Sequence, residues 1–115
     1  MDIDYNNRNF RSIENSPGGD VDGDTLFEYR QKGDIVWATY EGSAVAFGTL
    51  TARVLPDGQL DMRYQHVAAD GLIRTGRCLS TPEILLDGSV RLHERWRWTK
   101  GGEGEGESRI EEVRE

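Results

Sequence analysis

The sequence predicts an all-β protein, a single eight-stranded antiparallel up-and-down barrel. Three observations carry this. Apolar and polar residues alternate with a period of two in the longest patterned stretches, which marks strands with one inward and one wet face. Turn signals recur along the chain: Ser16-Pro17-Gly18-Gly19, Lys32-Gly33-Asp34, Glu41-Gly42-Ser43, Pro56-Asp57-Gly58, Asp70-Gly71, Asp87-Gly88 and Gly101-Gly102. Asp-Gly between alternating segments is a strong hairpin cue, because these residues tolerate positive φ. No window holds a sustained apolar 3.6-residue period.

These turns leave eight segments, at about 8–15, 25–31, 35–40, 44–55, 59–68, 72–80, 89–99 and 107–113, with boundaries good to roughly 2–4 residues. The first carries Arg8-Asn9-Phe10-Arg11-Ser12 and ends at the Pro-Gly turn. In the second, Phe27 and Tyr29 share a face. The third and fourth, with Ile35-Val36-Trp37-Ala38 and Ala44-Val45-Ala46-Phe47, are apolar on both faces. The fifth alternates cleanly, with Leu60, Met62, Tyr64 and His66 on one side. The sixth carries Gly76, Cys78 and Ser80. It leads into Ser80-Thr81-Pro82-Glu83, which has a capping-box pattern. A kinked strand end with Pro on an edge is preferred there to a single helical turn. The seventh has the longest alternation: Val90, Leu92, Glu94, Trp96 and Trp98 on one face, Arg91, His93, Arg95 and Arg97 on the other. The eighth is Glu107 to Val113, after an acidic Gly-rich loop at 101–106. Residues 1–7 and the end at Arg114-Glu115 are expected to be loosely ordered.

Eight short-linked antiparallel strands would expose two long edges if left open, and closing the first onto the eighth removes them. A two-sheet sandwich is the alternative. The 115 residues suffice for one domain, 1–115. The apolar fraction of 36% is low, against a usual share of about 45–50% even with glycine counted. Fourteen Gly against three Pro suit tight hairpins.

The net charge of -7 argues against nucleic acid and anionic membranes as partners, since both demand a basic field. The single cysteine, Cys78, rules out an intramolecular disulfide. The start, Met1-Asp2-Ile3-Asp4-Tyr5, has no secretory pattern, and no apolar run approaches the ~20 residues that span a bilayer. A cytoplasmic protein is expected.

The inward set is Phe27, Tyr29, Tyr40, Phe47, Met62, Tyr64, His66, Glu94, Trp96 and Trp98. It can be a cavity wall or a plain core. The mixture of hydroxyls, an imidazole and a carboxylate favours a cavity, because a closed barrel without ligand prefers Leu, Ile and Val inside. The predicted ligand-binding residues are Tyr29, Tyr40, Tyr64, His66, Glu94, Trp96 and Trp98. His66 and Glu94 are the only candidates for an acid–base pair; a structural role, with Glu94 bonded to a tyrosine or Arg77, is preferred. No metal site is expected, since His66 and His93 lack further clustered ligands. Cys78 has no nearby cation or helix terminus to make it a thiolate and reads as a packed small residue. Asp20-Val21-Asp22-Gly23-Asp24 fails the calcium-loop pattern at Thr25 and Gln31 and reads as an acidic connection. The Arg91, Arg95 and Arg97 stripe is expected to pair with Glu111 and Glu112 across strands. The doubly apolar 35–47 hairpin suggests a homo-oligomer.

The segments Val36-Trp37-Ala38-Thr39-Tyr40, Leu60-Asp61-Met62-Arg63-Tyr64-Gln65-His66 and Arg91-Leu92-His93-Glu94-Arg95-Trp96-Arg97-Trp98-Thr99 resemble a family of short bacterial proteins of poorly defined function, avidin-like or lipocalin-like in outline. The resemblance covers nearly the whole chain and implies a small-molecule-binding barrel. The Gly-x-Trp opening of true avidins has no counterpart in Arg8-Asn9-Phe10-Arg11-Ser12, so biotin is not the expected ligand. Members are often labelled N-acetylglutamate synthase. The pyrophosphate loop and helix of acetyl-CoA-dependent transferases are lacking, so no cofactor is expected. The reading is a binding protein rather than an enzyme. A small enzyme using His66 and Glu94, and a structural oligomerisation module with a filled core, are the alternatives.

Overall fold

Asp-Gly turns set the hairpin geometry. At Asp57, Asp70 and Asp87 the carboxylate accepts the N–H two residues on, at 3.0, 3.0 and 2.9 Å. Gly58, Gly71 and Gly88 that follow take φ near +90°, which costs glycine little. A computed structural model, describing residues 3–114, shows the eight strands these turns connect. They are β1 (Arg8–Asn15), β2 (Leu26–Lys32), β3 (Ile35–Glu41), β4 (Val45–Val54), β5 (Leu60–Ala68), β6 (Ile73–Ile84), β7 (Val90–Lys100) and β8 (Glu105–Glu112). Each pairs antiparallel with the next, and β1 pairs with β8 to close the barrel. The fold is all-β, as predicted.

Three irregularities steer side chains. In β1 the pairing with β8 shifts between Ser12 and Glu14. Ile13 is the extra residue, and its insertion turns Asn15 inward opposite Ser108. In β4 the register shifts between Val45 and Phe47. The inner face is Gly48, Leu50 and Ala52, with Val45 also inside. Phe47, expected inside, therefore points out and is 53% exposed. Reading parity from Val45 misplaces it, because Ala46 is a bulge residue. A third shift, between Thr75 and Gly76, lies on the β6–β7 ladder near Thr99.

No helical turn forms at Ser80–Glu83. β6 runs through Pro82, which pairs with Leu92 of β7. The β5 ladder has already ended at Leu60↔Ser80, so on that side Pro82 is locally at an edge and forfeits no ladder bond. β8 starts at Glu105 because Gly106 is a strand residue opposite Trp96. Ahead of β1, where loose order was expected over 1–7, Tyr5 is fully buried against Phe10 and Tyr29, and its N–H donates to Gln31 Oε1 at 2.8 Å. Met1 and Asp2 lie outside the described residues, as does Glu115. Arg114 donates to the Asp87 carbonyl at 2.7 Å.

The hairpins alternate between two ends. At one end, Tyr5, Phe10, Tyr29, Val36, Leu60, Val90, Leu92 and Ile110 form an ordinary close-packed core. The other end carries the connection 16–25 and the turns at 42–44, 69–72 and 101–104. The polar and aromatic inward residues gather beneath it.

Candidate functional site

Large rings fit inside this barrel because glycines lie beneath them. Tyr40 is opposite Gly48, Tyr64 opposite Gly76, and Trp96 opposite Gly106. A Cβ on any of these glycines would collide with the facing ring. Gly102, in the loop after β7, lies close to the Trp98 ring, where a Cβ would be a tight contact rather than a collision. Tyr40, Tyr64 and Trp96 thus each lie on bare backbone, as cross-strand aromatic–glycine pairs do. The rings meet at steep angles: Tyr64–Trp98 at 5.7 Å and 66°, Trp96–Trp98 at 5.7 Å and 55°, His66–Trp98 at 5.7 Å and 78°. Between them and Phe27, Leu50, Met62, Cys78 and Glu94 is a cavity of about 50 Å³.

Glu94 forms part of the cavity wall, one layer above Leu92, and is 9% exposed. Its partners are Ser80, whose hydroxyl donates to Oε2 at 2.8 Å, and Ser108, whose hydroxyl donates to Oε1 at 3.3 Å. Both serines are its cross-strand neighbours, on β6 and β8. Neither a tyrosine nor Arg77 takes the role expected for it. Burial pushes the Glu94 carboxyl up to about 7 against bonds from Ser80, Ser108 and Cys78 that pull it down. Burial also pushes the Cys78 thiol well above its usual range, which keeps it protonated and unreactive. The Tyr40 and Tyr64 phenols are likewise raised by burial.

His66 is engaged elsewhere. Its Nε2–H donates to Asp20 Oδ2 at 2.8 Å, and the Tyr40 hydroxyl lies 2.9 Å from its Nδ1. With both nitrogens occupied, His66 makes no hydrogen bond to Glu94, and the two do not form an acid–base dyad. All the predicted binding residues point inward, but Tyr29 is below the cavity, packed among Tyr5, Phe10 and Phe27.

The acidic connection between β1 and β2 has a role that no period or motif in the sequence marks. It folds over the barrel mouth and bonds to the lumen rings. Trp98 Nε1–H donates to the Gly18 carbonyl and Trp96 Nε1–H to Asn15 Oδ1, both at 3.1 Å. Asn15 Nδ2 donates to the Val21 carbonyl at 2.6 Å. Asp20 accepts from Arg74 Nη1 at 2.9 Å as well as from His66. The only sequence signal was Asp20 itself, an acid beside apolar Val21.

On the outside, Arg91 bonds Glu111 at 3.4 Å, and Arg95 and Arg97 stand opposite Glu107 and Glu105. Glu112 turns instead to Arg8, at 2.8 Å.

A closed eight-stranded antiparallel barrel with an aromatic lumen defines the class of this protein. A family model described as "Avidin-like protein" matches residues 3–113, and the chain belongs to that family. No curated protein and no solved structure matches it.

Proposed function

We propose that the protein binds a small molecule in the barrel mouth. The observation that carries this is the lumen wall. Three large rings are laid on cross-strand glycines, so that a space with a buried carboxylate remains where aliphatic side chains could have filled it. Membership of an avidin-like family agrees with a binding role. The cavity is small beside the roughly 300–1,000 Å³ of drug-sized sites. A larger ligand would have to displace residues 16–24, which are joined to the lumen by the Trp98, His66 and Arg74 bonds. Native mass spectrometry of protein purified from its own host tests the reading. A species retained in the folded protein and released on denaturation supports it. Only the bare polypeptide mass, with Trp emission unchanged on unliganded refolding, refutes it.

We also propose that the outer face of β3–β6 meets a second copy of the chain. Ile35 and Trp37 are exposed on β3, and Phe47, Val67 and Ile73 form one cross-strand row. A continuous apolar row on a barrel that has no free edge suits a self-complementary contact.

A further inference from the structure

The cavity satisfies one of its two acids and leaves the other open. Two acids border it. Asp20 is compensated by Arg74 and held by His66, at 2.9 and 2.8 Å. Glu94 is met by neutral groups, the hydroxyls of Ser80 and Ser108 and the Cys78 thiol, and no cationic side chain among the described residues bonds it. A buried carboxylate without a counter-charge is the costly kind. The surrounding walls are the ring systems of Tyr40, Tyr64, Trp96 and Trp98. Aromatic faces attract cations through the ring quadrupole, and more strongly when both are desolvated. An anionic ligand would meet two carboxylates and no free cation among the described residues. The net charge of -7 also favours approach of positive solutes.

We propose, resting on the binding role above, that the lumen takes a small organic cation. Its ammonium or amidinium head sits against Glu94, and a short apolar stem lies among Tyr40, Tyr64, Trp96 and Trp98. The 50 Å³ of free space limits the closed form to a head and a few carbons. Burial holds the Glu94 carboxyl near 7, so an arriving cation supplies the counter-charge that lets it ionise in place.

The test compares n-propylammonium, n-propanol and propionate, which are close in size and differ in charge. Binding is read from the indole N–H resonances of Trp96 and Trp98. Propylammonium is expected to shift both saturably with a Kd at least about tenfold below that of propanol, and propionate to bind more weakly than either. Glu94→Gln should erase the preference for the cation while propanol still binds, which also shows that the variant is folded. Propanol or propionate binding as well as the cation, or a preference that survives in Glu94→Gln, overturns the cation inference and leaves the binding site standing. If none of the three shifts either indole, the cation inference falls, and the binding role is decided separately by the native mass spectrometry above.

Discussion

At the scale of single residues, Glu94 is a buried carboxylate without a cationic partner among the described residues. Its carboxyl is raised from 4.5 to about 7 by burial, so the folded protein holds this proton more tightly than the unfolded chain does. The contribution is fully present below pH 4.5 and is lost as pH rises through 7. It amounts to about 3 kcal/mol across that window. Glu94→Gln removes the titration and keeps an amide oxygen for one serine. Urea denaturation from pH 4.5 to 8 should show wild type losing stability relative to the variant, and parallel pH curves would contradict the assignment. The position of Glu94 is legible in sequence, because strict alternation from Val90 to Trp98 admits one inward face. Asp20 is not legible in the same way. It lies in a connection with no period, and only the folded chain brings it against His66 and Arg74.

At the scale of elements, the pairing of rings with glycines decides how β4, β6 and β8 are built. Glycine inside a strand ordinarily weakens it by roughly 0.5–1 kcal/mol relative to Ala. Gly48 and Gly76 are needed because Tyr40 and Tyr64 occupy the place of a Cβ. Gly48→Ala is therefore expected to destabilise, by about 1–3 kcal/mol, against the intrinsic preference. The cost should largely vanish in a Tyr40→Ala background, since the two changes share one space. Thermal or chemical denaturation of the four proteins of that cycle checks it, and additive costs would show that the ring is not the cause. Strand existence is legible from the Asp-Gly turns and alternation. Phe47 shows where that legibility stops. A bulge adds one residue and reverses the parity inferred from Val45, and nothing local in Ala44-Val45-Ala46-Phe47 says which residue is extra.

At the scale of the whole molecule, the barrel is closed and its apolar surplus sits outside. Ile73 is 62% exposed beside Val67 and Phe47. Sedimentation should give a mass above one chain at micromolar concentration, and Phe47→Asp should shift the protein to monomer without loss of fold. A monomer mass for the unaltered chain at all concentrations would end the self-association proposal. What the sequence alone determined is the all-β class, the eight strands and nearly all of the inward set, because turn chemistry and a period of two are local properties of the chain. Tertiary structure alone decided that residues 16–24 roof the mouth, that Tyr5 plugs the far end, and that Glu94 rests on Ser80 and Ser108 while His66 bridges Tyr40 and Asp20. Those contacts join residues far apart in the chain. Their geometry follows from closure and bulge placement, which are set by how the whole barrel packs.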